Sequence, residues 1–259
     1  MNYETILFEV NGSTATLTLN RPEVFNAFNE QQSEEVIDAL KNCDKDKNIR
    51  VLVITGAGKA FCSGQDLKSI AGTKRSLGES IYKRYNPMIR LMRNLPIPVI
   101  GKINGVAAGA GCSLALACDF LIASENASFI EVFINVGLVP DSGSSYFLPR
   151  SIGLARAFEM AALGTKISAQ QAFDWGMINR LVKPEELDGE TAKSVEYFAN
   201  APTKAIGMIK KMLNKSFHSD LDTMLDYEAY CQEIAGRSGD YSEGVAAFME
   251  KRKPIFKGN

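Results

Sequence analysis

The sequence predicts an α/β core followed by a helical C-terminal part, on three observations. Two apolar runs, VLVITG (51–56) and PIPVIG (96–101), each end in glycine and each lead on toward a helix. Strands buried on both faces read this way. A hairpin signal, Asn11-Gly12 inside an alternating stretch, precedes them. Beyond about residue 150 the strand-helix-strand alternation gives way to helical patterns alone.

TILFEVNGSTATLTLNRP (5–22) alternates apolar and polar residues on both sides of the Asn-Gly turn, which predicts two antiparallel strands. NEQQSEEVIDALKNCDKD (29–46) spaces Val36, Leu40 and Cys43 as one face of an amphipathic helix. A loop, GKAFCSGQDLKSI, follows the first apolar strand, then a helix around SIYKRYNPMIRLMRNL that Pro87 kinks or breaks. The second apolar strand runs through a glycine-rich turn, NGVAAGAG, into a short apolar helix, and a third strand begins near Asp119. IGLARAFEMAALG, SAQQAFDWG, PEELDGETAKSVEYFANA and the tail read as helices. Ser168 and Gln171 form a capping box, and Gly176 stands where that helix should stop. No linker composition divides the chain and no repeat appears, so residues 1–200 read as the core and 201–259 as a helical subdomain.

Composition removes several classes of function. With 29 basic and 30 acidic residues among 259, the chain has no general attraction for nucleic acid or anionic membrane. Five cysteines without CxxC spacing, and no export signal, predict reduced thiols in a cytoplasmic protein. There is one histidine, His218. A two- or three-histidine metal site is therefore impossible within the chain, and a Ser-His-Asp triad lacks its G-x-S-x-G elbow. Carboxylates and backbone groups are left as the agents of any chemistry.

Two glycine-bearing turns, AFCSGQDL and NGVAAGAG, follow the two apolar strands. Neither completes a phosphate-binding motif. The second runs straight into a helix, so its free amides face outward and can meet an anion or a developing oxyanion. Further on, GLVPDSGSSYFLPR (137–150) holds a single acid, Asp141. Taken alone, Pro-Asp-Ser-Gly is a turn whose aspartate bonds nearby amides.

In order, NRPEVFNAFN, AFCSGQDL, NGVAAGAGCSLALACD, GLVPDSGSSYFLPR and SAQQAFDWGMINRLV resemble the crotonase family, the enoyl-CoA hydratases and isomerases, from about residue 5 to the C-terminus. The resemblance implies a ββα spiral core with a helical C-terminal subdomain. It implies that the chain binds an acyl-CoA thioester, coenzyme A being part of the substrate with no separate cofactor and no metal. It also implies that backbone N–H groups of Gln65 and Ala110 hold the enolate oxygen. Cys62, Ser63, Gly64, Asp66, Leu67, Gly109, Ser113, Phe133 and Leu138 are implied to surround the acyl-CoA. Asn20–Asn26 and Cys62–Leu67 are implied to cradle the adenine end. Lys251, Lys253 or Lys257 are offered for the phosphates, though a solvated basic tail explains them equally well.

Hydratases of this family place two glutamates over the enolate. Here those positions fall at Ser113 and Phe133. Glu131 enters only by a shifted register and reads as an exposed loop residue. Asp141 falls where several isomerases of the family carry their acting carboxylate, which favours one base and no water. The tail, AGRSGDYSEGVAAFMEKRKPIFKGN, resembles the branch that isomerises 1,2-epoxyphenylacetyl-CoA. A hydratase, and a non-catalytic RNA- or CoA-ester-binding protein on the same fold, stand as alternatives. Tyr82, Tyr85 and Met88 lie near the implied acyl pocket, and Asp119 reads as a backbone-bonding residue. Tyr230, Ile234, Val245 and Phe248 would need a partner surface, which the family's trimers and paired trimers provide.

Overall fold

The computed structural model describes residues 3–70 and 76–259. The hairpin forms as its sequence dictates, with β1 (Ile6–Asn11) antiparallel to β2 (Thr14–Leu19) around Gly12. Strand β2 pairs in parallel with β3 (Val51–Gly56), reached through α1 (Glu30–Lys45), whose buried stripe includes Val36, Leu40 and Cys43. The chain then winds in turns that each lay one strand into a large sheet and one short strand into a second. Strands β3 and β4 (Ala60–Cys62), β5 (Val99–Ile103) and β6 (Val106–Ala108), and β7 (Phe120–Ser124) and β8 (Ser128–Ile130) are the three pairs.

Two later strands complete the sheets: β9 (Ile167–Ser168) against β8, and β10 (Arg180–Val182) against β7. The orders are β1-β2-β3-β5-β7-β10 and β4-β6-β8-β9. Strand β3 is buried throughout because both its faces are covered. Leu52 and Ile54 join the main core, while Val51 and Val53 pack with Ile100, Ile122 and Leu187 on the other face.

Between the strand pairs run α2 (Leu67–Ile70), α3 (Leu77–Ser80), a π-helical turn (Ile81–Tyr85), α4 (Asn86–Asn94) and α5 (Ala110–Leu116). The expected break at Pro87 has a definite form. Asn86 N–H reaches back five residues to the Ile81 carbonyl, and Pro87 sits in the first turn of α4. Proline has no N–H for the Lys83 carbonyl and its ring would collide with it, so the backbone widens there.

The helical half holds α6 (Ser144–Ile152), α7 (Leu154–Leu163), α8 (Ala169–Asp174), α9 (Leu187–Ala199), α10 (Thr203–Ser216), α11 (Leu221–Gly236) and α12 (Gly239–Met249). The capping box at Ser168 and Gln171 is present, and Gly176 takes φ +78° as the stop. The purely helical reading of this half is corrected by β9 and β10. Strands of two and three residues carry no detectable alternation, and their pairing partners lie far away in sequence. All five cysteines are free and buried. Tyr230, Val245 and Phe248 are exposed, and Ile234 is half-buried. Among the described residues, no helix is long and apolar enough to cross a membrane.

Candidate active site

The two glycine turns meet. Ser63 N–H donates to the Phe25 carbonyl at 3.0 Å, Phe28 N–H to Gly64 at 2.7 Å, and Asp66 N–H to Phe28 at 2.9 Å. Segments 20–28 and 62–67 are thus stitched together. Asn26 is buried at φ +57°, with its side chain donating to the Ala57 and Ala60 carbonyls and accepting from Arg21 N–H. Asparagine tolerates this left-handed conformation, and these bonds hold it there.

Gly64 has φ +94°, and a Cβ on it would stand 2.8 Å from the Ala108 carbonyl and 3.4 Å from Ala110 N. Only glycine allows the two turns to approach this closely. Among the described residues, the N–H groups of Gln65 and Ala110 have no acceptor. Both residues line one cavity of about 590 Å³. Backbone donors left unpaired inside a fold are rare, so a pair of them on one wall marks a place for an oxygen ligand. The Gln65 side chain is fixed, its amide donating to Phe28 O at 2.9 Å and its oxygen accepting from Tyr85 Oη at 2.6 Å. Burial pushes the Tyr85 phenol well up, which keeps it a donor.

The rest of the wall is mostly apolar: Leu77, Ile81, Val132, Phe133, Val136, Leu138, Val139 and Pro140. Among the described residues, two charged side chains line it, Asp141 and Arg84. Burial raises the Asp141 carboxyl above its ordinary range, and Ser142 Oγ, donating to Oδ1 at 2.7 Å, partly opposes this. No backbone amide bonds the Asp141 carboxylate among the described residues. That removes the turn-holding role. Asp66 shows what that role looks like, its Oδ1 accepting from Lys68 N–H and Ser69 N–H.

Of the nine residues implied to surround the acyl-CoA, Ser63, Gly64, Leu67, Gly109, Phe133 and Leu138 line the cavity. Cys62, Asp66 and Ser113 do not. Cys62 is buried with its thiol on the Asn26 carbonyl, because α5 lies against β4 and a Cβ at Gly111 would collide with the Cys62 backbone. Asp66 is off the wall, in a largely buried ion pair with Arg21 at 3.0 Å. Ser113 is fully buried beneath the Asp141 loop, its Oγ 3.1 Å from the Asp141 carbonyl oxygen and 2.7 Å from Ser144 Oγ. Lys251, Lys253 and Lys257 are not on this wall, and neither are Tyr82 and Met88. His218 stacks on Tyr146 with ring centroids 5.6 Å apart, also off the wall.

The reading of Glu131 as an exposed loop residue is corrected. It is fully buried, because the residue after β8 turns inward under α6. Ser144 Oγ donates to its Oε1 at 2.9 Å, which places a chain of groups, Glu131–Ser144–Ser113, under the Asp141 backbone. Burial raises the Glu131 carboxyl to about 7, the Ser144 hydroxyl opposing and the Asp141 charge adding. The sign of the stability effect follows. Between the ordinary carboxylate value of 4.5 and about 7, the folded chain holds a proton that the unfolded chain has lost. Stability therefore falls as pH rises through that window, by about 3 kcal/mol in total. Glu131→Gln has no such proton to lose. Urea titrations at pH 5 and pH 8 should show the variant gaining on the parent by about that amount at the higher pH, and equal pH slopes would refute the assignment.

Sequence reasoning missed Arg84, Ile81 and Leu77 on the wall. Arg84 lies in a run, YKRY, whose charges look solvated, and only the wide turn at 81–85 brings it inward.

The family model for enoyl-CoA hydratase/isomerase matches residues 9–259. The 1,2-epoxyphenylacetyl-CoA isomerase of Escherichia coli (strain K12) is 45% identical over 98% of this chain and 99% of its own. The trans-2-decenoyl-[acyl-carrier-protein] isomerase of Streptococcus mutans is 35% identical over the full length of both chains. The crystal structure of an enoyl-CoA hydratase from Bacillus anthracis superposes with a TM-score of 0.94, at 34% identity, covering 99% of this chain and 100% of its own. The spiral of strand pairs with its helical C-terminal part is the crotonase fold. The chain belongs to the enoyl-CoA hydratase/isomerase family.

Proposed function

We propose that the chain is an acyl-CoA isomerase in which Asp141 moves the proton and the N–H groups of Gln65 and Ala110 hold the enolate oxygen. One observation carries this reading: Asp141 is the sole carboxyl group among the described residues lining the cavity. Hydration across a double bond needs one group to activate water and another to protonate the α-carbon. Isomerisation needs one carboxylate, which takes a proton from the carbon next to the thioester and returns it to a different atom. The raised affinity of Asp141 for its proton suits both halves of that cycle. Two preorganised amides supply the charge stabilisation, each such donor contributing roughly 2.7–4 kcal/mol in well-studied sites.

The substrate we favour is 2-(1,2-epoxy-1,2-dihydrophenyl)acetyl-CoA, converted to its seven-membered oxepin isomer. The 45% identity with the Escherichia coli isomerase over nearly the whole chain supports this substrate. The apolar wall around Phe133, Leu138 and Val139 suits a ring or an unsaturated chain, so double-bond shifts in enoyl-CoAs belong to the same reading. The hydratase alternative draws on Glu131. Its carboxyl is held by Ser144 and does not line the cavity, so it is poorly placed to meet an acyl group or its water.

The test is a panel of CoA thioesters read by mass and ultraviolet spectrum. An epoxide or enoyl thioester should change spectrum without change of mass. Crotonyl-CoA should gain water at least about 10²-fold more slowly than with an ordinary hydratase. Hydration at an ordinary rate would overturn the reading. Glu at position 113 should not create a hydratase, since that site is filled by Ser144 and the Asp141 backbone.

A further inference from the structure

Among the described residues, four charged side chains are buried by the fold: Arg84, Glu131, Lys210 and Asp240. Three are engaged. Glu131 accepts from Ser144, Lys210 pairs with Asp119 at 2.6 Å, and Asp240 accepts from the backbone N–H groups of Lys257 and Gly258. Arg84 differs. It is 7% exposed, yet it makes no hydrogen bond, ion pair or ring contact with any described residue. Asp141 lines the same cavity and forms no ion pair with it.

A guanidinium largely withdrawn from bulk water and left without a protein acceptor is costly, and the nitrogens of Arg84 keep some solvent access. Here it is kept on the wall of a mostly apolar cavity to which Leu77, Ile81, Val136 and Val139 also contribute. The wide turn at Ile81–Tyr85 places Arg84 and Tyr85 inward together. Tyr85 is committed to Gln65, so Arg84 holds the unspent donors of this segment. Five N–H groups in a planar fork match a carboxylate better than any neutral oxygen.

We infer that the cavity accepts acyl thioesters whose acyl group carries a second, free carboxylate, and that Arg84 is the residue that selects it. This rests on the cavity being the acyl-thioester site. The thioester oxygen lies at the Gln65 and Ala110 amides, the carboxylate pairs with Arg84, and Asp141 remains free for proton transfer.

The experiment measures dissociation constants for two length-matched pairs: glutaryl-CoA against pentanoyl-CoA, and adipyl-CoA against hexanoyl-CoA. At least one dicarboxylic member should bind about tenfold or more tightly than its uncharged match. Arg84→Met should bring that ratio to about one, and Arg84→Lys should restore part of it. Melting temperature separates misfolding from lost selection, and Arg84→Met, which removes a mostly buried charge without a protein partner, should melt within a few degrees of the parent. Three results overturn the inference: no preference in the parent for either pair, a preference that survives in Arg84→Met, or a variant that misfolds while Arg84→Lys shows the parent's full ratio. Tight binding of all four thioesters without preference removes the selective role of Arg84 and leaves the isomerase reading standing. Failure of all four to bind removes both.

Discussion

Asp141→Asn lowers turnover on an isomerisable acyl-CoA by about 10²-fold or more, with thioester affinity nearly unchanged. Asparagine matches the size of aspartate and still accepts the Ser142 hydroxyl that reaches Oδ1 at 2.7 Å. What it loses is the carboxylate proposed as the base. Because no backbone amide bonds this carboxylate among the described residues, the variant should lose less than about 1 kcal/mol of stability. The parent's rate should also fall with acid, beginning above the ordinary carboxylate range, since burial raises this group. Turnover, affinity and melting temperature on this single variant decide the matter. A well-folded Asn variant that turns over normally ends the catalytic role.

Asp119→Ala should cost about 3–5 kcal/mol of folding stability, measured by urea denaturation at pH 7. Asp119 Oδ1 pairs with Arg93 at 2.8 Å, and Oδ2 pairs with Lys210 at 2.6 Å while accepting from Val99 N–H at 2.9 Å. Lys210 comes from α10 and is 5% exposed in its side chain, donating also to the Met92 and Ile97 carbonyls. One carboxylate therefore joins the C-terminal helices to α4 and the large sheet. Without it a buried ammonium and a guanidinium face each other uncompensated. Replacing Asp119 and Lys210 together by Leu and Met should cost clearly less than the sum of the single changes, because both charges leave at once. Additive losses would mean that the pair does not act as a unit.

The elements with strong local signals were legible in the sequence for physical reasons. Asn11-Gly12 sets a turn that few other pairs adopt, and the stripe of Val36, Leu40 and Cys43 has helical period. Strands β4, β6 and β9 escaped because they are two or three residues long and exist only through pairing across the spiral. The site divides in the same way. Glycines and a lone acid in an apolar run are local signals, so the two turns and Asp141 could be found. Burial of Glu131 and Arg84 could not, because each depends on what packs against it from elsewhere in the chain. Ser113 was placed at the acyl group by motif position, whereas the Asp141 loop lies over it. Asp119, read as a backbone-bonding residue, also holds two cations that come from α4 and α10.

A helix interrupted by a π turn spans its length with one residue more than an unbroken α-helix needs. At Ile81–Tyr85 that surplus residue lies beside a cavity wall, while α4 is anchored in the core by Met88 and Met92. Deleting an exposed position such as Lys83 would let the turn tighten and would rotate the helical residues just before it, 77–82, by roughly 100° about the helix axis. Leu77, Ser80 and Ile81 would leave the wall and their neighbours would take their places. Asp141, the Gln65 and Ala110 amides and the sheets would stay where they are. Single-residue insertion and deletion at this one point thus offers a route to new acyl selectivity in which the chemistry is inherited unchanged.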